Sequence, residues 1–119
     1  MEKLVEKEKE LIKKPIIRFF EEKLSEGFKN NKGREIIEVQ NIYAFVSVDE
    51  DESSFKEKIV ITRTDVQANV RISLGVGTST NSILSLRTNK GFILNYDNEA
   101  KGYYLENTDD ISIIDVSPY

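Results

Sequence analysis

Residues 83–116 read ILSLRTNKGFILNYDNEAKGYYLENTDDISIIDV, and their alternation decides the fold. Leu84, Leu86, Phe92, Leu94, Tyr96, Tyr103, Leu105, Ile111 and Ile113 fall on one side of a pleated ribbon. Successive strand side chains point to opposite faces, so a slip of one residue would scatter this set. Three turns join the ribbon in the expected arrangement. Thr88-Asn89-Lys90-Gly91 fits a short hairpin that pairs Leu86 with Leu94, with Gly91 in the left-handed position. Asn98 to Lys101 forms a four-residue loop that pairs Tyr96 with Tyr103 and Leu94 with Leu105. A turn at Thr108 to Asp110 pairs Leu105 with Ile113. The reading is a β-meander over 83–116.

Upstream, the period stays at two. Val66, Ala68, Val70, Ile72, Leu74 and Val76 alternate with Gln67, Asn69, Arg71 and Ser73, the pattern of a half-buried strand. Phe55 to Thr64 reads as a separate strand, and Ile36 to Val48 as a long one with a bulge at Gln40-Asn41. Asp49 to Ser54 and Gly75 to Ser82 read as loops.

Before Glu35 the period is near four. Ile12, Ile16, Phe20, Leu24 and Phe28 make one apolar stripe on a Lys/Glu surface, with Leu11 and Phe19 beside it. Pro15 removes a helical hydrogen bond and clashes with the carbonyl four residues back. The helix is therefore expected to kink or break there, into pieces near 2–13 and 15–29. Leu4 and Val5 are among the few apolar residues of the first piece. Asn30-Asn31-Lys32-Gly33 is expected to end the helix.

The fold class that follows is α+β: an N-terminal helix kinked or broken near Pro15, then six to seven antiparallel strands in a meander-type sheet or small barrel. A chain of 119 residues predicts one domain over 1–119, with a helical arm at 1–33 and a sheet at 35–119.

Composition narrows the chemistry. The chain has no His and no Cys, which removes the commonest general base, the thiol nucleophile and the usual transition-metal ligands. Catalysis would rest on Asp, Glu, Lys or Tyr. Asp65 and Asp115 are the acids worth testing for burial, and single acids at strand ends are usually turn or cap residues. The residue set leans against an enzyme without deciding it, an enzyme acting through carboxylates in an acid-lined pocket being the third reading. No cofactor and no metal are expected. Asp49-Glu50-Asp51-Glu52-Ser53-Ser54 offers clustered oxygens for a hard cation. Its opening resembles the start of a calcium-binding helix–loop–helix loop at Asp49, Asp51 and Ser53. The glycine position is Ser54, the closing glutamate position is Val60, and no helices flank it. Gly75-Val76-Gly77-Thr78-Ser79-Thr80 lacks the following helix that a phosphate-cradling loop needs.

Charge is uneven. Residues 1–34 hold ten Lys/Arg against seven Glu, a net of +3, and residues 35–119 carry a net of −7. The acidic sheet argues against phosphate binding by its faces, since that needs cations. Arg63, Arg71, Arg87, Lys90, Tyr96, Tyr103 and Tyr104 are nonetheless the residues that could stack on bases and contact phosphates. In the basic arm, Lys13, Lys14 and Arg18 lie close together as nucleic-acid contacts. On the sheet face opposite the core, Ile93, Tyr104, Ile114 and Val116 form a small apolar patch, with Asn95, Tyr104 and Ile114 as cross-strand neighbours. Such a patch suits a partner or subunit interface.

No apolar run reaches the roughly 20 residues a membrane span needs, and early glutamates disrupt a leader-like start. The expectation is a cytoplasmic protein. The Ile-, Lys- and Asn-rich usage fits an A/T-rich genome and sets a viral or archaeal source as the expectation. Functionally, the sequence predicts a non-catalytic module that binds another protein or itself, with a homo-oligomer foremost. The alternative is nucleic-acid binding through the basic arm.

Overall fold

The computed structural model describes residues 6–106 and 108–117. A helix, α1 (Glu6–Leu24), is followed by β1 (Ile36–Val48), β2 (Lys58–Gly75), β3 (Thr78–Thr88), β4 (Phe92–Asp97), β5 (Gly102–Glu106), a short 3-10 turn (Thr108–Asp110) and β6 (Ile113–Asp115). All six strands join one open antiparallel sheet. No helix among the described residues is long and apolar enough to cross a membrane.

The helix passes unbroken through Pro15. Ile12 and Ile16, on either side of the proline along the stripe, are fully buried. Each isoleucine stabilises by roughly 1.5–3 kcal/mol, which offsets the ~3 kcal/mol cost of an internal proline. The helix stops at Leu24, short of the expected 29, and Gly27 takes the left-handed conformation just beyond it (φ 82°). Asn30 to Gly33 is instead a separate turn. There the Asn30 carboxamide oxygen accepts from the N–H groups of Lys32 (3.0 Å) and Arg34 (2.8 Å), and Gly33 has φ 75°. Leu4 and Val5 lie outside the described residues.

β1 spans the residues expected of it, with a register shift between Val39 and Asn41 where the bulge was read. The two strands expected over 55–76 are one continuous strand, β2. Thr64 and Asp65 do not interrupt its path, but the alternation shifts by one at the exposed pair Thr62-Arg63, so that Ile61 and Thr64 both turn inward and the ladder with β1 changes register there. The expected loop at 75–82 shrinks to a two-residue turn at Val76-Gly77, and Thr78 to Ser82 continue as β3.

The hairpin expected at Thr88 to Gly91 does not form. β3 and β4 both run antiparallel to β2, one after the other along the same edge. Asp65 pairs with Arg87, and further along Ile61 pairs with Phe92. The chain carries straight on through 89–91 with a one-residue offset. The polar residues that suggested reversal bind the neighbouring turn instead: the Ser112 N–H donates to Asn89 Oδ1 (2.7 Å), and Asn89 Nδ2 donates to the Asp110 carbonyl (3.1 Å). Gly91 lets the strand cross close beneath β2, where a Cβ would meet the Ile61 carbonyl.

The β4–β5 hairpin has the expected register, Leu94 with Leu105 and Tyr96 with Tyr103. The last expected pairing fails: Ile113 pairs with Thr88 and not with Leu105. β5, the 3-10 turn and β6 follow the broken strand β4–β3 in reverse. The sheet is thus four rows wide: β1, β2, β3 with β4, and β6 with β5.

Every residue of the expected core set packs on one face. Leu84, Leu86, Phe92, Leu94, Tyr103 and Ile111 are buried there, with Tyr96, Leu105 and Ile113 partly so. Helix α1 lies over this face and contributes Ile12, Ile16, Phe19, Phe20 and Leu24 to the same core. Phe19 and Phe92 meet edge to face at 5.4 Å, joining helix to sheet.

Candidate functional site

Because α1 covers one face, the other is left open among the described residues. Directly paired residues of an antiparallel sheet share a face, so the registers define rows across it. One row runs Phe45, Asp65, Arg87, Ile114. The next runs Tyr43, Gln67, Ser85 and reaches Val116, whose N–H donates to the Ser85 carbonyl (2.8 Å). A third holds Asn41, Asn69 and Ile83. Tyr43 (51 %), Phe45 (61 %), Ile83 (59 %), Ile114 (46 %) and Val116 (43 %) all expose large apolar side chains.

Of the four residues expected to form an apolar patch, Ile114 and Val116 are neighbours on this face. Ile93 and Tyr104 belong to a separate part, on β4 and β5. Ile93 pairs with Val60 and Glu106, and Tyr104 with Asn95. The expected contact between Tyr104 and Ile114 is absent because β6 pairs with β3. Tyr43, Phe45 and Ile83 were not singled out from the sequence. The alternation of β1 carried the signal, but its partner strand, and hence its row, was not readable.

The centre of the face is polar. Asp65 accepts from Arg87 Nε (2.8 Å) and Arg63 Nε (2.9 Å). Partial desolvation works against the charged carboxylate, but the hydrogen bonds from Arg87 and Arg63 outweigh it and hold Asp65 below the ordinary aspartate range. Two arginines on one carboxylate leave a local net charge of one positive. Phe45 and Ile114 flank this ion network. Asp65 therefore serves as a brace between strands, and the partly exposed side chain shows none of the raised affinity for protons that a general acid needs.

The second expected catalytic candidate is also committed to structure. Asp115 accepts from the Asn31 N–H (2.8 Å) and the Ser117 N–H (2.9 Å), clipping the C-terminal segment to the turn after α1. In the acidic loop, Asp49 Oδ1 accepts from the N–H groups of Asp51 and Glu52, and the buried Ser53 hydroxyl accepts from the Val60 N–H (2.8 Å). Among the described residues no group of three acids gathers to hold a metal.

A groove of about 460 Å³ separates α1 from the β4–β5 hairpin. Lys14 and Arg18 line it from the helix, and Lys101, Asp97 and Tyr104 from the hairpin. Lys13 is absent from its lining and approaches Glu10 (3.9 Å). Tyr96 and Tyr103 are not available for base stacking. Their rings meet edge to face at 5.2 Å on the core side, and the Tyr103 hydroxyl accepts from the Lys56 N–H (2.7 Å). Burial pushes the Tyr103 phenol above the ordinary tyrosine range, against the pull of that hydrogen bond.

Compared with protein-family models, curated proteins and solved structures, the chain matches none.

Proposed function

We propose that this protein is a non-catalytic interaction or self-assembly module, working in the cytoplasm, whose binding surface is the sheet face opposite α1. The observation that carries this reading is the cluster of uncovered Tyr43, Phe45, Ile83, Ile114 and Val116. Single apolar residues are normal on a surface, but here Tyr43 with Phe45 and Ile114 with Val116 stand uncovered on either side of a polar centre. That much exposed apolar surface on one face supports an interaction site. The braced arginines between Phe45 and Ile114 add the composition typical of such sites, where aromatic residues and Arg are enriched.

Ile114→Asp and Tyr104→Asp test the reading, one in each part of the face. Ile114→Asp is expected to change solubility and any self-association measured by light scattering. A strictly monomeric protein, unaltered by either substitution, would refute it.

The groove beside Lys14, Arg18 and Lys101 supports a second reading, nucleic-acid binding by the helix side. Three cations against Asp97 provide the charge that phosphates require. Affinity should then fall steeply with added salt, and a low-salt mobility shift with Arg18→Glu as control reads it directly.

A further inference from the structure

β1 is the longest strand at an edge of the sheet, and among the described residues no strand lies on its outer side. The other edge is made of β5, with five residues, and β6, with three. Natural edges are guarded by short length, lysines, prolines or bulges. Asn41–Ser47 of β1 has none of these within it: it reads Asn-Ile-Tyr-Ala-Phe-Val-Ser, without charge, glycine or proline. Its ladder with β2 is unbroken, and register shifts bound it on both sides, at Val39/Asn41 and at Ser47/Val48.

The direction of its backbone groups follows from one hydrogen bond. Thr62 Oγ1 donates to the Ser47 carbonyl (3.1 Å), so Ser47 faces β2. Residues of an antiparallel ladder alternate in this respect, so Ile42, Ala44 and Val46 direct their N–H and C=O groups to the open edge.

We propose that a second copy of this chain occupies that edge, with Asn41–Ser47 of the two copies paired antiparallel about a two-fold axis at Ala44. The proposal rests on the interaction reading above and names its partner. The segment is complementary to itself in this register. Ala44 lies on the axis, Ile42 faces Val46 on the core side, Tyr43 faces Phe45 on the open side, and Asn41 faces Ser47. Outward backbone groups meet outward backbone groups, and no like charges are opposed. The regular stretch is centred on Ala44, so shifting the register would push a bulge into the ladder. Joining the sheets would also cover part of the exposed Tyr43 and Phe45 rings, with each ring against the other type from the second copy.

The full chain is tested by light scattering over a concentration series and by cysteine cross-linking, for which the cysteine-free sequence is a clean background. A species of twice 13.7 kDa is expected. Phe45→Lys should weaken it at least about tenfold, because the two-fold axis counts each lost aromatic pair twice. In the proposed register Tyr43 and Phe45 form a non-hydrogen-bonded pair with α-carbons roughly 4.5 Å apart, within disulfide reach. A mixture of Tyr43→Cys and Phe45→Cys proteins should therefore cross-link under mild oxidation faster than either alone. This readout stands even if Phe45→Lys fails to fold. A dimer that cross-links no faster in the mixture and disperses with Ile114→Asp overturns the edge pairing while keeping the interaction reading. A chain that stays monomeric to about 1 mM overturns the proposal; if Ile114→Asp then also leaves solubility unchanged, the interaction reading falls with it.

Discussion

A methyl group placed on Gly91 would stand 1.9 Å from the carbonyl oxygen of Ile61. No real side chain tolerates that distance, so the backbone of one strand must move away from the other. The contact sits where β3 passes into β4, between the pairs Asp65 with Arg87 and Ile61 with Phe92. Gly91→Ala should therefore cost on the order of 1–3 kcal/mol or more, as overpacking does. Urea denaturation followed by circular dichroism measures it. A change within a few tenths of a kcal/mol would mean that the strands do not cross this closely.

The turn between β2 and β3 stores strain that a substitution can release. Val76 has φ 49° and is fully exposed at the tip, followed by Gly77 at φ 75°. A β-branched residue in the left-handed region costs about 1–3 kcal/mol, whereas Asn followed by Gly suits such a turn. Val76→Asn is expected to raise stability by about 1 kcal/mol. A lower midpoint in thermal denaturation would contradict the turn geometry.

Thr64 is buried at 2 % exposure, and its hydroxyl has no hydrogen-bond partner among the described residues. Burying an unpaired hydroxyl is costly, and replacing it with an apolar group of the same shape removes the cost. Thr64→Val should stabilise the fold by about 1 kcal/mol, while Thr64→Ser should destabilise it by leaving a small void with the same unmet group. The two variants are compared in one denaturant series.

Asp65 links stability to acid. Its carboxyl titrates below the ordinary aspartate range in the folded chain, so the unfolded chain takes up the proton first as pH falls. The contribution is complete above the unfolded-state value and is lost as pH drops through the folded one. The side chain is 42 % exposed, which keeps the effect below about 1 kcal/mol. Asp65→Asn should lower stability at pH 7 and have little effect near pH 2, read as the difference between urea midpoints at the two values.

Side-chain alternation makes faces legible and leaves partners open. Leu86, Leu94 and Leu105 share the core face as the sequence implied, although Leu86 pairs with Asp115 and not with Leu94. Phe92 lies four positions after Thr88, an even step, so turning back and carrying on give the same face. Only the close passage of Gly91 against Ile61 and the bonds of Asn89 to Asp110 and Ser112 decide between them, and these are contacts at long range in the chain. The hairpin at Asn98 to Lys101 was readable because its strands, loop and apolar pairs are all local. The open face was half readable for the same reason. Ile114 and Val116 follow from alternation within β6 and its extension, but their nearness to Tyr43 and Phe45 depends on strand order.

The order of the four rows also governs how the chain can reach its native state. Each row pairs with the segment next to it along the polypeptide, and Lys58 with Asn95 is the most widely separated strand pair. Such local wiring keeps the entropy of closing each loop small, so assembly should run faster than in Greek-key sandwiches of similar size. The link from Asn31 to the C-terminal segment, through its N–H to Asp115 and its Nδ2 to the Ser117 carbonyl, spans far more of the sequence than any strand pair. It can form only once both ends have found the core, which makes it a natural last step and the first tie to loosen on unfolding.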